Sequence, residues 1–426
     1  MPDDHPLLQF LFSRHRFGLK PGLERISALL SYLGHPEKRF RVVHVGGTNG
    51  KGSCCAFLES LLQATGLRTG LYTSPHLVRP EERIRVNSIP IPGEALVDLI
   101  ASLRPRIEES QATFFEAVTA IAFAYFAESR VDVAVVEVGL GGRWDATNVV
   151  WPEVTVITDV HLDHQNHLGR SVRAIAYEKA GILKPGVACC TYARTRAALR
   201  VLRERAAQVG AILHRQQSEG RVRVTGLSPE GTRFGYWGLQ IRQPYLSTRL
   251  VGRHQARNAG LALLAFEVGG WAQVASEETI RRAIADTEWA GRFHILSVYP
   301  LRLLDVAHNV QGVRAFVRTF AELWPDQSDC TVVMGVLEDK PFRLMAGYLR
   351  RLAPRIVVCP LPTLRSADVE DMASQAQELG FAVQTALDPL DAWRRGEIWA
   401  GNSPLIAIGS HYLVGAILGG LGLEPR

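Results

Sequence analysis

The chain has 426 residues, a length that calls for two or three hydrophobic cores. With 47% hydrophobic and 21% charged residues it has the composition of a soluble globular protein, and no apolar run approaches the ~20 residues of a membrane span. The net charge of +6 suits an anionic partner; the basic residues are dispersed and no Lys/Arg block is interleaved with aromatics, which disfavours nucleic acid and leaves a small polyanion held in a cleft, or solubility alone.

The N-terminal stretch carries acid before its apolar piece and no small-residue cleavage site, so no secretory leader is expected. The six cysteines, Cys54, Cys55, Cys189, Cys190, Cys330 and Cys359, form no CxxC pair and lie mostly in expected strands or helices. They read as small hydrophobes of a reducing compartment, the cytoplasm.

Residues 18–38 read as a helix entered from a Gly/Pro turn, with Ile26, Leu29, Leu30 and Leu33 on one face. The central stretch, residues 39–66, follows. Phe40, Val42, Val43 and Val45 form a buried parallel strand, the turn runs from Gly46 to Ser53, and Ala56, Phe57, Leu61 and Leu62 then fall at helical spacing. A strand, a glycine turn carrying a lysine and a hydroxyl, and a helix make a phosphate cradle: backbone N–H groups point at the anion and Lys51 reaches the outer phosphates. The strict P-loop ends in Gly-Lys-Ser/Thr, whereas here Gly52 separates Lys51 from Ser53. A lone glycine turn is more often a loop than a site; the lysine, the serine and the strand–helix context favour phosphate.

A second strand ends at Thr73, Ser74, Pro75 and His76, where open α/β sheets bind ligands. Helices are expected at 92–110 and 113–129, the latter beginning with Phe114, Phe115 and Glu116. The strand 131–136 places Glu137 at its carboxyl end before a Gly-rich turn, and the strand 154–158 delivers Asp159, His161, Asp163 and His164. Any one such histidine is ordinarily a solvated loop residue. Two successive strand ends bearing acid or imidazole beside a phosphate loop point to a metal, and for hard Mg²⁺ Glu137 is a better ligand by type than His164. Ser171 caps a helix stopped near Lys184-Pro185, with Lys179 on its buried side, where a lysine needs a partner or a chemical change. Strand, helix and strand follow over 187–215, a small antiparallel excursion over 221–250, and a helix with His254 and Asn258 at its polar start.

After Trp289-Ala290-Gly291-Arg292 the alternation restarts: five strands alternate with helices, a second doubly wound α/β domain. Polar residues gather again at strand ends, Asp305, His308 and Asn309 after one, Glu338, Asp339 and Lys340 after the next, Ser410 and His411 after the last. Together they define one face that can close on the phosphate loop.

The segments HVGGTNGKGSCCAFL, TSPHLVRPEERIRVN, FFEAVTAIAF, EVGLGGRWDATN, ITDVHLDHQNHLGRSVRAIAYEKAGILKPG, GRHQARNAGLAL, LDVAHNVQG, MGVLEDKPFRLM and GSHYLVG resemble, in order, the motif set of the folylpolyglutamate synthase/dihydrofolate synthase family within the Mur ligase superfamily. The resemblance runs from Gly18 to Val414. Departures are few: Val306 where the family has Gly, Gly46-Gly47-Thr48 for Ala-Gly-Thr, Ala290 for Pro and His411 for Leu. Val306 would alter local backbone freedom.

The resemblance implies an α/β chain with an N-terminal P-loop, Mur-ligase-like domain with a mostly parallel sheet (residues 1–292, ATP and pterin or folate) and a C-terminal Rossmann-like domain (293–426, the glutamate side). It implies an ATP-dependent ligase, acting as a monomer without nucleic acid or membrane, that joins L-glutamate to dihydropteroate, to reduced folate, or to both. By similarity Gly50, Lys51, Gly52, Ser53, Asn258, Arg292 and Asp305 contact ATP. Ser74, Glu137 and His164 hold Mg²⁺, at two sites, and Lys179 matches a lysine carbamylated in the family. His308 lies near the reacting centre, and Thr113, Phe114, Phe115 and Glu116 with Trp144, Asp145 and Ala146 match the pterin segments. A Mur ligase acting on a nucleotide-linked sugar peptide, or a P-loop NTPase switch, shares fewer of these motifs.

Overall fold

The computed structural model describes residues 5–14 and 21–424. The leader reading of the N-terminus and the start of the first expected helix therefore lie partly outside the described residues; the helix itself spans Glu24–Tyr32.

The first sheet contains β1 (Arg41–Gly46), β2 (Thr69–Tyr72), β3 (Ile84–Val86), β4 (Ile89–Pro90), β5 (Val133–Glu137), β6 (Val154–Ile157), β7 (Ala188–Thr191) and β8 (Leu213–Arg215), in the order β4-β3-β2-β5-β1-β6-β7-β8. Only β3 and β4, at one edge, run antiparallel to their neighbours. The apolar strands are buried on both faces, and their alternation divides them between two cores. Val43, Val45, Val133 and Val135 pack with the helices Lys51–Gln63 and Arg253–Val268, while Val42, Ala134 and Val136 pack with the helices at Glu24–Tyr32, Gly93–Ser110 and Phe114–Glu128.

The antiparallel excursion is a separate sheet of β9 (Arg221–Ser228), β10 (Gly231–Trp237) and β11 (Arg242–Thr248), order β11-β10-β9. It is anchored by Glu267, whose carboxylate accepts from the Tyr236 hydroxyl at 2.6 Å and the Gln240 amide at 2.7 Å.

The second large sheet comprises β12 (His294–Val298), β13 (Leu301–Asp305), β14 (Thr331–Met334), β15 (Arg355–Val358), β16 (Ala382–Thr385) and β17 (Leu405–Ile408), in the order β12-β13-β17-β14-β15-β16. Five of these are the strands expected from sequence. The sixth, β12, is an antiparallel edge strand whose residues are half exposed, so it lacks the apolar run that marks the others. The helix Glu277–Asp286 was likewise not anticipated, and the helix capped by Ser171 stops at Ala180, short of Lys184-Pro185. All six cysteines are free and buried, as their sequence context predicts. Among the described residues no helix is long and apolar enough to cross a membrane.

Topology positions the chemistry. β1 is flanked by β5 and β6 in parallel register, so the phosphate turn lies between the segments carrying Glu137 and Asp159–His164. In the second sheet β17 lies between β13 and β14, bringing the ends that carry Asp305, Ser410 and Lys340 side by side. Carboxyl ends of parallel strands meet on both sides of the cleft.

Candidate active site

The phosphate turn requires its glycines. Gly47 has φ +141° and an added Cβ would lie 1.8 Å from Thr158 Oγ1; Gly50 has φ +84° and its Cβ would lie 2.5 Å from Asn258 Oδ1. Thr48 N donates to Asp159 O at 2.7 Å and Thr158 Oγ1 to Asn49 O at 2.8 Å, which ties the turn to the end of β6. Gly50 opens the helix Lys51–Gln63 without a side-chain cap, so the first-turn N–H groups around Gly52 and buried Ser53 remain for an anion. Lys51 Nζ donates to Thr48 O at 3.3 Å and lies 3.7 Å from Glu137 Oε1.

Glu137 ends β5 and its Oε2 accepts from Ser74 N at 3.2 Å. Burial raises its pKa, and the Lys51 ammonium opposes the rise. A carboxylate and a serine on adjacent strand ends, beside the Lys51 ammonium, are hard oxygen donors of the kind Mg²⁺ takes. Among the described residues no group of three His, Cys, Asp or Glu side chains is assembled for a metal. A cation that draws most of its ligands from phosphates and water needs no more than one or two, so the donor set fits Mg²⁺.

The residues matched to metal binding divide between two adjoining clefts. Ser74 and Glu137 line one with Gly52, Trp289, Arg292 and His411. His164 and Lys179 line another with Lys51, Asp163 and His308. Lys51, in ion-pair reach of Glu137, spans the two. Lys179 Nζ donates to Gly47 O at 2.7 Å. Its pKa is lowered to about 7, first by burial and then by the nearby Lys51 charge. Burial likewise lowers His164 to about 3.

From the second domain, Asp305 accepts from Phe293 N at 2.8 Å and Ala307 N at 2.7 Å. Burial raises its pKa, with Arg292 opposing. Arg292 Nη2 donates to His411 Nε2 at 3.3 Å, an imidazole that burial, with Arg292 beside it, holds well below its usual pKa. His308 Nδ1 donates to Val306 O at 3.0 Å, leaving Nε2 facing Asp163 at 3.6 Å. Val306 is fully buried and its φ is not in the left-handed region, so its β-branched side chain is accommodated without backbone strain. Asn258 stands beside Gly50, its Oδ1 accepting from Tyr192 at 3.0 Å and its Nδ2 donating to Gln255 at 2.9 Å.

The pterin-matched segments are largely committed internally. Thr113 and Glu116 form a capping box for the helix Phe114–Glu128, and Glu116 also accepts from Arg25 at 3.0 Å. Phe114 is buried and stacks on Phe12 with ring centres 5.7 Å apart. Asp145 accepts from Leu140 N at 2.8 Å and Thr147 Oγ1 at 2.5 Å, and Ala146 is buried beside it. Phe115 packs against Gly139 and Tyr72, and Trp144 is exposed with the Arg143 guanidinium 5.0 Å from its ring centre.

Sequence reasoning did not single out the residue at the centre of the cross-domain contacts. Asp163 accepts from Lys340 Nζ at 2.8 Å and Asn309 Nδ2 at 2.9 Å. Burial opposes its ionisation, but His308, His164 and Lys340 outweigh it and hold the carboxyl far below the usual range. Its place at the end of β6, beside His164, was the available signal.

Two family descriptions match the chain, the Mur ligase middle domain over residues 45–266 and the Mur ligase glutamate ligase domain over 291–408. Fold and site thus define a Mur-type ligase. The dihydrofolate synthase/folylpolyglutamate synthase of Bacillus subtilis is 36% identical over 420 residues, spanning 96% of each chain. The Mycobacterium tuberculosis folylpolyglutamate synthase complexed with ADP superposes with a TM-score of 0.92 at 33% identity, covering 99% of both chains. Escherichia coli FolC in complex with DHPP and ADP gives a TM-score of 0.87 at 30% identity, covering 98% of both. The chain belongs to the dihydrofolate synthase/folylpolyglutamate synthase family, ATP-dependent glutamate ligases of the Mur type.

Proposed function

We propose that this chain couples ATP cleavage to amide formation between L-glutamate and both dihydropteroate and reduced folates. The observation that carries the reading is the meeting of Lys51, Lys179, Asp163 and His308, drawn from both domains, around one cleft at the phosphate turn. A carboxylate is a poor electrophile at neutral pH. Transfer of the γ-phosphoryl group to one of its oxygens releases ADP and gives an acyl phosphate; the glutamate amine then attacks the carbonyl carbon, loses a proton, and expels phosphate.

In this reading Gly50, Lys51, Gly52 and Ser53 hold the phosphates, and Lys51 stabilises charge on the transferring group. Asn258, Arg292 and Asp305 contact the nucleotide, with residues 1–292 binding ATP and the pteridine and 293–426 the glutamate. Ser74 and Glu137 would hold one Mg²⁺, and His164 with carbamylated Lys179 a second; bound there, the cations would neutralise phosphate charge. Depression of the Lys179 pKa to about 7 leaves a neutral amine available for addition to carbon dioxide, with loss of one proton, to give the carbamate. His308 presents Nε2 toward the cleft, and Phe115 and Trp144 offer faces for the flat heterocycle. Closure of the two domains shields the acyl phosphate from water. The chain acts as a monomer.

The test is to supply purified protein with ATP, Mg²⁺ and glutamate, with dihydropteroate or tetrahydrofolate in separate reactions, and weigh the products. A glutamate mass added to both acceptors supports the reading; addition to only one restricts it to a single activity, and addition to neither overturns it.

A further inference from the structure

Asp163 and Lys340 are 177 residues apart and follow strands of different sheets, yet they form an ion pair with side chains only 7% and 3% exposed. Lys340 Nζ also lies 3.2 Å from Asp339, while the second Asp163 oxygen accepts from Asn309 Nδ2. Asn309 and Asn49 exchange amide hydrogen bonds, Asn309 Nδ2 to Asn49 Oδ1 at 2.8 Å and Asn49 Nδ2 to Asn309 Oδ1 at 3.2 Å. Asn309 also caps the helix Val310–Leu323 through Gly312 N. The two Asn309 amide hydrogens are thus divided between Asp163 and the phosphate turn, and its neighbour His308 faces the same carboxylate.

We propose that Asp163 and Lys340 are positioning residues that latch the second domain onto the phosphate turn, fixing His308 and the Asn309–Asn49 pair in the geometry needed for reaction. The chemistry favours a latch over incidental packing. A buried ammonium and carboxylate are costly unless paired, so separating the domains here exposes both to water, whereas closing them requires correct register. Asp163 lines the cleft and Lys340 does not, and neither is assigned a contact with ATP, pteridine or glutamate; their effect would pass through Asn309 to Asn49 and through His308. The inference rests on the ligase reading for its kinetic consequence, but not for its structural one.

The test compares Asp163→Asn, Lys340→Gln and the double variant with the unaltered protein, using hydrogen exchange followed by mass and steady-state kinetics. Faster exchange is expected in residues 47–52 and 306–312, with the core strands unchanged. The kcat should fall by about a hundredfold in each single variant. The KM for ATP should change much less. The double variant should fall no further than the worse single, because the pair acts as a unit. Lys340→Arg should retain more activity than Lys340→Gln. Asn309→Ala keeps the Asp163–Lys340 ion pair while removing the amide bonds to Asn49 and Asp163 and the Gly312 cap; it should speed exchange in residues 47–52 and covers the case in which a charge-removing variant does not fold. Unchanged exchange in these segments, or single-variant effects that multiply in the double, would overturn the latch. Absence of ligase activity in the unaltered protein would refute the function while the exchange measurements still decide the latch.

Discussion

Lys179 donates from Nζ to the backbone oxygen of Gly47 at 2.7 Å, so a buried lysine on the helix Val172–Ala180 is tied directly to the phosphate turn. The contact places the site of the proposed carbamylation against the backbone that would cradle the nucleotide. Lys179→Ala is expected to lose ligation and to regain part of it with added formate or acetate, small carboxylates able to occupy the space. Lys179→Arg should be as damaging as alanine, since guanidinium retains the charge that carbamylation removes. An arginine variant with normal turnover would contradict the assignment.

Lys51→Ala should reduce turnover by about 10²–10³-fold or more through lost stabilisation of phosphoryl charge. It should leave the melting temperature within a few degrees, because Lys51 lies at the start of the helix Lys51–Gln63, outside the apolar cores. Kinetics paired with a thermal melt on the same preparation check this; near-normal turnover in a folded variant would remove the phosphate role.

Acid sensitivity should arise in part from His44. Thr147 gives its one hydroxyl hydrogen to Asp145, so His44 Nε2–H donates to Thr147 Oγ1 at 2.8 Å and Nδ1 is left buried without a partner. Burial first, then Lys184, lowers the His44 pKa to about 3 from 6.5. The unfolded chain therefore binds the proton more readily throughout that window. The contribution is complete above pH 6.5 and falls as pH drops toward 3, by up to about 1.4 kcal/mol per pH unit. Chemical denaturation of wild type and His44→Gln across pH 4–7 should show their stability difference shrinking as pH falls; parallel curves would contradict the account.

Glu116 and Phe115 should separate. Glu116→Gln disrupts a capping box and the Arg25 contact, so it should cost about 1–2 kcal/mol of stability with a modest effect on substrate KM. Phe115→Ala should raise KM for the pteridine acceptor more than for ATP. Equal effects of the two substitutions on acceptor KM would place Glu116 in contact with the ligand.

Much of this was legible in the sequence wherever one segment suffices to state the signal. The buried strands announce themselves as β-branched runs, the strand–turn–helix unit by its glycines, and Glu137 by its place at a strand end. β12 was not legible because a half-exposed edge strand carries no apolar run. The Asp163–Lys340 pair was not legible because its partners are distant in sequence and meet only through the packing of two sheets. Glu116 illustrates a different limit: a motif match gives residue identity, but only the fold reveals that its carboxylate is engaged by Thr113 and Arg25.

In the proposed reaction the acceptor carboxylate is activated as an acyl phosphate before glutamate attacks. Acceptor labelled with heavy oxygen in the reacting carboxylate should transfer one labelled oxygen to inorganic phosphate for each amide formed, because that oxygen leaves with the phosphoryl group. Amide formation accompanied by unlabelled phosphate would contradict it.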